Sequence, residues 1–370
     1  MIILALDHVR DFFHWSAHNY DPLDLEHTST SIFLTRWITH FCAPVFVFLA
    51  GTSAYFIGTR KSKAEVAKFL FTRGVWLILL EVTILNFGWF FNATFSTVVL
   101  MTIWSLGIGM VSLSVLIFLP KRLLLAVGLL IVFGHNLLDN LHIAGNSIQG
   151  FAWAALHDGG PFTAGYFRIF VAYPVLSWIG LMTVGYCFGE LYTTLTPEKR
   201  KQVLIKLGVG CILLFVALRF TNWYGDYQHW SVQRNPVYTV LSFINTVKYP
   251  PSLLYMLMTI GPSLLFLAFA EKPLSKAGKM VSVFGRVPLF YYILHIYVIH
   301  LSSNIAMVLS GYSWKDVFAN PFFNPVTTFG YPLVVVYSVW ILVVVLLYPL
   351  CKWYDGYKLR NKEKWWLSYL

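Results

Sequence analysis

Four polar residues near the start of the chain follow the spacing of one helix face. Asp7, Asp11, His14 and His18 occur in the opening stretch "MIILALDHVRDFFHWSAH". At the α-helical period they lie within roughly 60° of one another. A carboxylate on the same face orients a neighbouring imidazole and stabilises its protonated form, which a general base acting on a hydroxyl or an amine requires. The spacing therefore predicts a catalytic stripe of acidic and histidine side chains.

The competing interpretation is a helix end that emerges into water with a solvated polar face. Asp7 argues against it, because the residue follows six apolar positions and a lone charge at membrane depth is costly. The aromatic residues "FFHW" that follow are typical of a cavity wall. We therefore keep the stripe as the first candidate site.

Other polar side chains occur inside apolar segments. Arg36 and His40 are four positions apart in "TRWITH" and share a helix face. Glu81 falls near the middle of an apolar helix, so it needs a partner from another element or is protonated. His295 and His300 are five positions apart, about 140° on a helix, which excludes a two-histidine metal face. For each of these groups a structural and a functional role remain open, and the functional role predicted for Arg36, Glu81 and His295 is substrate binding.

The composition indicates the elements that position these groups. The 370 residues are 58% hydrophobic and 12% charged, against roughly 25% charged in a soluble domain. Apolar runs at 41–58 and 331–350 reach the roughly 18 residues of a spanning helix. The sequence therefore predicts a membrane protein and excludes a soluble one.

The apolar pattern predicts an all-α polytopic membrane bundle of about ten transmembrane helices. These lie near 1–18, 32–58, 69–91, 95–119, 123–138, 166–192, 203–220, 251–270, 283–309 and 330–350. The first is short for a span, so we expect the natural chain to begin about 10 to 20 residues earlier. No internal repeat or long linker is visible, so residues 1–370 are predicted to form one domain.

The distribution of charge predicts the orientation. Alternate connections hold 19 of the 27 Lys and Arg residues, which by the positive-inside rule places those connections and both termini in the cytoplasm. The net charge of +11 therefore reflects membrane topology and not a nucleic-acid partner. The four cysteines show no paired spacing, so we expect no disulfide framework and no metal site.

The longer connections are predicted to face outward. They carry "QGFAWAALHDGGPF" and "TNWYGDYQHWSVQRNP", which are rich in aromatic and polar residues. Aromatic faces with a few polar groups are typical of a saccharide site. An aromatic belt at the membrane interface has the same composition, so both interpretations stay open.

Four blocks of sequence together point to a known family. They are "ALDHVRDFFH", "TRWITHFCAPVFVFLAGTSAY", "YPVLSWIGLMTVGYCFGEL" and "FGRVPLFYYILHIYVIHL", which lie between residue 5 and residue 301. With these blocks the chain resembles the heparan-α-glucosaminide N-acetyltransferase catalytic-domain family, a group of multi-pass membrane acyltransferases with many bacterial members.

The resemblance implies an enzyme that passes an acetyl group from acetyl-CoA, within the membrane, to an amine or hydroxyl of an extracytoplasmic saccharide. In the family an Asn or Asp of the first helix works with a His shortly after it. Asp7 matches the first position, and His18 or His14 matches the second. His295 matches a histidine in a late block of the family. The large lumenal region of the lysosomal member is absent here, so heparan sulfate does not carry over as the acceptor.

These observations give a mechanism to test. His14 or His18 would be the general base, oriented by Asp7 or Asp11, and His40 or Arg36 would stabilise the developing oxyanion. Direct transfer and a covalent acetyl-histidine intermediate both remain open. Four cytoplasmic cations, Lys61, Lys63, Lys121 and Arg122, would attract the phosphates of acyl-CoA, although the positive-inside rule predicts the same charges without a ligand.

Two other function classes use the same groups. In a proton-coupled transporter or flippase, Asp, Glu and His form a proton relay; in a sensor of pH or sugar, the histidines form the switch. We expect a bacterial cytoplasmic membrane as the location, lipid, acyl-CoA and a saccharide as the partners, and consider a homodimer.

Overall fold

Helices form most of the chain. The structure is a computed structural model that describes residues 1–143, 145–318, 328–364, 366 and 367. Its helices are α1 (Ile2–Phe13), α2 (Thr30–Trp37), α3 (Cys42–Gly58), α4 (Lys63–Leu80), α5 (Asn86–Phe90), α6 (Thr102–Leu116), α7 (Lys121–Gly134), α8 (Ile148–Trp153), α9 (Leu176–Phe188), α10 (Leu191–Thr194), α11 (Pro197–Thr221), α12 (Pro236–Ile244), α13 (Leu253–Ala270), α14 (Lys276–Arg286), α15 (Pro288–Leu309), α16 (Trp314–Phe318) and α17 (Leu333–Arg360). Its strands are β1 (Thr97–Leu100), β2 (Gly160–Ala164) and β3 (Phe167–Val171).

Seven helical segments within the described residues are long and apolar enough to cross a membrane. They are Thr30–Gly58, Lys63–Phe90, Lys121–Leu138, Pro197–Thr221, Leu253–Ala270, Pro288–Leu309 and Leu333–Arg360. Each overlaps one of the ten helices that the sequence predicts. The prediction of a helical protein with several long apolar helices is confirmed, whereas the count of ten spans and the side of each terminus stay predictions.

A small sheet explains why two predicted helices are shorter than expected. The sequence predicts helices over 95–119 and 166–192, but the first residues of both form strands. β1 pairs parallel to β3, and β2 pairs antiparallel to β3. The stretches "TVVL" and "FRIFV" are rich in β-branched and aromatic residues, which favour strands. The helices that follow have only 15 and 13 residues.

Proline divides another predicted helix. The apolar pattern predicts one helix over 283–309, whereas α14 ends at Arg286 and α15 begins at Pro288. Val287, between them, has φ −127° and ψ 52°, because a residue that precedes proline avoids the α-helical conformation. The helix α14 therefore forms a separate element in front of α15.

The chain folds into two compact units. Unit 1 comprises Met1–Cys42, Thr83–Phe95 and Pro273–Leu370, and unit 2 comprises Ala43–Val82 and Ser96–Lys272. The single domain that the sequence predicts stays a prediction.

In unit 1, α1 packs against α15 and α17. The indole N–H of Trp340 on α17 donates to the Ile2 carbonyl at 2.8 Å, and the Ser303 hydroxyl on α15 donates to the Phe12 carbonyl at 2.7 Å. The backbone N–H of Tyr331 donates to the Phe13 carbonyl at 2.7 Å. Both ends of α1 are therefore fixed by contacts from the last third of the chain.

In unit 2, glycines bring helix backbones into direct contact. A Cβ added at Gly74 of α4 would lie 2.6 Å from the Gly107 carbonyl oxygen, and one added at Gly107 of α6 would lie 2.8 Å from that of Gly74. Gly51 of α3 and Gly185 of α9 make a similar close contact with backbone atoms of the opposite helix. Small residues at such crossings allow the van der Waals packing that stabilises helix pairs in membranes.

Two ion pairs join the connections between helices at one end of unit 2. Lys121, at the start of α7, forms an ion pair with Glu190, between α9 and α10. The Arg200 guanidinium, near the start of α11, donates to both Glu271 carboxylate oxygens at 2.6 and 2.7 Å. We call this end the basic end of unit 2.

The close glycine contacts predict a stability difference between two alanine substitutions. Gly185→Ala should lower the thermal midpoint of the detergent-purified protein, because overpacking costs about 1–3 kcal/mol. Gly210→Ala on α11 is the matched control, since no atom of the described residues lies within 4 Å of the added Cβ. It should leave the midpoint unchanged or raise it, because alanine favours helix over glycine. Equal midpoints for both variants would contradict the contact between α3 and α9.

Candidate active site

The polar stripe at the start of the chain ends earlier than the sequence predicts. The helix α1 stops at Phe13, and His14 has extended backbone geometry, with φ −85° and ψ 132°. The His14 Nδ1 accepts the backbone N–H of Ser16 at 3.2 Å and lies 2.6 Å from the Ser16 hydroxyl. A 3₁₀ turn, Trp15–His18, follows. His14 therefore does not continue the face of Asp7 and Asp11, and the His18 side chain lies outside the described residues.

The hydrogen bonds of His14 define its neutral tautomer, and its predicted role as the general base stays a prediction. Its Nδ1 must carry a lone pair, because the Ser16 backbone N–H can only donate. In the neutral ring the proton is then on Nε2. His14 is buried, so this tautomer presents an N–H, which fits the stabilisation of an anion better than the removal of a proton.

Asp7 lies between two arginines. Its Oδ1 accepts from Arg10 Nη2 at 3.0 Å, and its Oδ2 accepts from Arg36 Nη1. Arg10 Nη2 also donates to Asp11 Oδ1 at 2.6 Å. Asp7 and Arg10 are buried, whereas the Asp11 side chain is 29% exposed. Two carboxylates and two guanidinium groups thus neutralise one another, as buried charges require.

This ion cluster changes the roles predicted for its members. The sequence predicts that Asp7 orients a histidine and that Arg36 stabilises an oxyanion or binds substrate. In the structure Asp7 bonds to Arg36 and so ties α1 to α2. Arg36 and His40 do not continue on one α-helical face, because α2 ends at Trp37 and a 3₁₀ turn, Ile38–Phe41, carries the fully buried His40.

A histidine pair forms the second polar group of α1. His8 Nδ1 lies 2.8 Å from His295 Nε2, with the ring centroids 4.9 Å apart and 12° between the ring planes. His295 Nδ1 lies 2.8 Å from the backbone carbonyl of Tyr291. Both histidines are buried. We call His8 and His295 the histidine dyad.

The hydrogen bonds of the dyad define its protons. A carbonyl oxygen only accepts, so His295 Nδ1 must carry a proton. In the neutral ring, His295 Nε2 then accepts, and His8 Nδ1 must donate to it. A neutral His8 therefore carries its lone pair on Nε2. This is the protonation state that a general base or a nucleophile needs.

Aromatic rings enclose the dyad. The Trp89 ring stands edge-on to His8 with centroids 4.8 Å apart, and the Tyr292 ring does so at 5.9 Å. On the other side of His295, the Tyr291 ring is stacked at 4.9 Å. Aromatic walls exclude water and strengthen electrostatic interactions inside them.

His300 occupies a different environment on the same helix. Its Nδ1 lies 2.9 Å from the Gly88 carbonyl, and its ring stacks on Phe91 at 4.0 Å and on Phe12 at 4.7 Å. His295 and His300 thus have separate partners, as their spacing predicts. His300 serves as a structural comparison for the dyad.

Glu81 has the external partner that its burial requires. It is fully buried, and its Oε2 accepts the backbone N–H of Trp104 at 2.9 Å. Trp104 is in the first turn of α6, where backbone N–H groups lack helical partners and the helix dipole favours a negative charge. Glu81 therefore caps α6, and its predicted role in substrate binding stays a prediction.

The four cations predicted to bind acyl-CoA phosphates belong to unit 2. Lys61, Lys63, Lys121 and Arg122 are exposed. Lys121 pairs with Glu190, so part of its charge is already neutralised. Their role in binding phosphate stays a prediction.

The aromatic loop after α11 has an ordered core. The buried Arg219 guanidinium donates to the carbonyls of Gln228, Ser242, Phe243 and Asn245. Asp226 accepts from the Val247 and Gln228 backbone N–H groups and from the Ser252 hydroxyl. Burial raises the pKa of Asp226, while the Val247 N–H and Arg219 oppose that rise. These bonds leave Trp223 and Tyr227 exposed, consistent with a saccharide site or an interfacial belt.

The predicted polar stripe does not include two residues of the candidate site. His8 lies about 100° from Asp7 on a helix, and Arg10 lies three positions after Asp7. The spacing of Asp7 and Arg10 is a recognisable ion-pair signal. For His8 the sequence signal is a histidine within an apolar segment, and this signal does not indicate that the partner is His295.

Among the described residues, no group of three or more His, Cys, Asp or Glu side chains could hold a metal ion.

Comparison with known proteins identifies one family. The family model for heparan-alpha-glucosaminide N-acetyltransferase, catalytic, matches residues 12–217, which is more than half of the chain. No curated protein and no solved structure matches. The matched range contains Arg36, His40 and Glu81 and does not reach Asp7, His8 or His295.

The ion cluster predicts unequal effects for two matched substitutions. Asp7→Asn should lower the thermal midpoint markedly, because breaking a buried ion pair costs about 3–5 kcal/mol. Asp11→Asn should have a smaller effect, since partly exposed pairs contribute about 0–1 kcal/mol. Thermal unfolding of both variants in detergent, followed by tryptophan fluorescence, measures the difference. A larger loss for Asp11→Asn would refute the central position of Asp7.

Proposed function

Since the chain belongs to the heparan-alpha-glucosaminide N-acetyltransferase catalytic family, we propose that it transfers an acetyl group from acetyl-CoA to an amine or hydroxyl of an extracytoplasmic saccharide. The family and the long apolar helices indicate a membrane acetyltransferase. The donor, the acceptor and the residues that act on them are our proposal. The observation that carries the assignment of the residues is the hydrogen bond between His8 and His295.

His8 Nε2 is the proposed proton acceptor. The hydrogen bonds of the dyad leave the lone pair of neutral His8 on this atom, as argued above. When the acceptor amine or hydroxyl attacks the thioester carbonyl, its proton passes to His8 Nε2. The C–S bond then breaks, and the thiolate of CoA takes the proton to leave as the thiol. Such a positioned base contributes about 10²–10⁴-fold to a rate.

His295 is the proposed positioning residue. Its Nδ1–H is fixed by the Tyr291 carbonyl, and its Nε2 fixes the Nδ1–H of His8. As His8 gains a proton, the hydrogen bond to His295 and the neighbouring rings stabilise the imidazolium. The arrangement follows the logic of a base held by a third group.

The same geometry serves the two-step route. There, His8 Nε2 attacks the thioester carbonyl, the C–S bond breaks and CoA leaves as the thiolate. The His8 Nδ1 proton moves to His295 Nε2, so that a neutral acetyl-imidazole remains. The acceptor then attacks the acetyl carbonyl, and the C–N bond to His8 Nε2 breaks while His295 returns its proton to His8 Nδ1. The proton of the acceptor passes to the CoA thiolate, which gives free CoA. Both routes require His8 and His295.

Asp7 and Arg36 have a different role in this proposal. Their ion pair holds α1 against α2 and so fixes the position of His8, the next residue after Asp7. His14, with an N–H on Nε2, is the proposed donor to the oxyanion in place of Arg36.

Substitution of the dyad tests the proposed base. His8→Gln and His295→Gln should each lower the release of CoA from acetyl-CoA by about 100-fold or more, because the base or its orientation is lost. The assay follows free thiol with purified protein and a mixture of D-glucosamine, D-galactosamine and methyl α-D-glucopyranoside as acceptors. Thermal unfolding of each variant reports whether it is folded.

His300→Gln is the matched control for this assay. It removes a buried imidazole from the same helix but leaves the dyad intact, so its rate should stay close to that of the unsubstituted protein. Transfer by folded His8→Gln at the full rate would exclude His8 as the base.

Binding of the donor is a separate expectation. Acetyl-CoA and free CoA should raise the thermal midpoint, because a ligand at about 100 times its dissociation constant adds ~2.7 kcal/mol to stability. ATP at the same concentration tests for binding of any nucleotide phosphate. The His8→Gln variant should show the same shift with CoA, since His8 acts on the thioester and not on the nucleotide.

No shift with either CoA compound, in folded protein, would contradict an acyl-CoA enzyme. It would favour a proton-coupled transporter that uses the dyad as a proton relay.

A further inference from the structure

The end of unit 1 formed by α14 and the last turns of α17 is strongly basic. The segments 276–286 and 352–364 together contain eight Lys or Arg residues and two acidic residues. The cations are Lys276, Lys279, Arg286, Lys352, Lys358, Arg360, Lys362 and Lys364. We call these two segments the basic platform.

The platform is an ordered surface. The Arg286 guanidinium donates to both Asp355 oxygens, with contacts of 2.7 to 3.0 Å. Phe284 on α14 packs edge-on against Tyr291 of α15 with ring centroids 4.9 Å apart. Both Val283 and Phe284 are buried. The helix α14 is therefore anchored on one side and lies against α15 and α17 as a fixed element.

The end of α17 is ordered in a similar way. The Lys364 ammonium donates to the Tyr357 hydroxyl at 2.8 Å and lies over the Tyr357 ring. The Tyr357 ring also stacks with Trp353 at 5.9 Å and is tilted against Trp366 at 6.5 Å. The cations of the platform are thus held on a folded surface and not on a loose tail.

Apolar side chains are exposed among these cations. Met280 and Val281 of α14 are 52% and 56% exposed, and Trp353 of α17 is 58% exposed. A surface in water gains nothing from exposing such groups, whereas the hydrocarbon core rejects the cations. The combination is typical of a helix in the plane of the interface, with apolar groups in the acyl region and lysines at the headgroups.

The charge of the basic platform determines which lipid headgroups it can bind. At the basic end of unit 2, Lys121 and Arg200 are neutralised by Glu190 and Glu271. The two segments of the platform contain eight cations and two acidic residues, Asp355 and Glu363, and Asp355 is paired with Arg286. We propose that the basic platform binds anionic phospholipid headgroups, with Met280, Val281 and Trp353 inserted between the lipids.

The test compares lipids of different charge. The thermal midpoint of detergent-purified protein is measured after addition of dioleoyl phosphatidylglycerol or dioleoyl phosphatidylcholine at the same mole fraction. Phosphatidylglycerol should raise the midpoint more than phosphatidylcholine, and added salt should reduce the difference. Equal shifts with the two lipids would overturn the proposal.

Variants locate the binding surface. Lys276→Gln/Lys279→Gln should lose at least half of the shift that is specific to phosphatidylglycerol. Lys276→Arg/Lys279→Arg keeps the charge and should keep the shift. Lys199→Gln/Lys201→Gln removes two exposed lysines of unit 2 and is the matched control, which should also keep it. A full shift in the first variant would overturn the assignment to α14.

A soluble headgroup analogue distinguishes binding of a whole lipid from binding of a phosphate group alone. Glycerol 3-phosphate at the same concentration should give no shift, because it cannot fill the apolar part of the platform. A shift equal to that of phosphatidylglycerol would indicate a phosphate site and overturn a lipid surface. The experiment contains no acetyl-CoA, so its outcome is independent of the proposed acetyl transfer.

Discussion

The contacts of Asp7 with Arg10 and Arg36 are the constraint on which the burial of α1 depends. The helix has 12 residues, and four of them are charged or histidine: Asp7, His8, Arg10 and Asp11. It is nevertheless buried between α15 and α17. Burial of such a helix is tolerable only when its charges cancel locally, because an unpaired ion in a low-dielectric interior costs several kcal/mol. The two arginines provide that balance directly beside His8.

The apolar pattern predicts the helices well and their first residues poorly. Seven long segments were predictable because a spanning helix requires an uninterrupted apolar run, which few other elements contain. The stretches 97–100 and 167–171 are also largely apolar, but they form strands because they pair with each other. They are 70 residues apart in the sequence, so a local pattern cannot detect the pairing. The break at Val287 was predictable in principle from Pro288, and the apolar residues on both sides concealed it.

The candidate site was predictable only in part for a similar reason. The concentration of polar groups in the first 14 residues is visible in the sequence, and it correctly indicates a buried polar region. The partners of these groups come from elsewhere: Arg36 from α2 and His295 from α15, 287 positions after His8. Helical spacing alone grouped Asp7 with His14, whereas a hydrogen bond from the Ser16 backbone ends the helical geometry at that point. An argument from helical periodicity is valid only within the helix. Side chains that bond to nearby backbone groups determine where the helix ends.

The capping of α6 by Glu81 has a consequence for how the chain enters the membrane. While α4 leaves the ribosome, Glu81 has no helix terminus to bind, because Trp104 follows it by 23 positions. Inserted alone, an ionised carboxylate at the centre of a helix costs about 3 kcal/mol. At about 5–20 residues per second, α6 follows within a few seconds, and its free N–H groups then remove the penalty. The capping bond to Trp104 and the glycine contacts between α4 and α6 therefore form only after α6 has been synthesised.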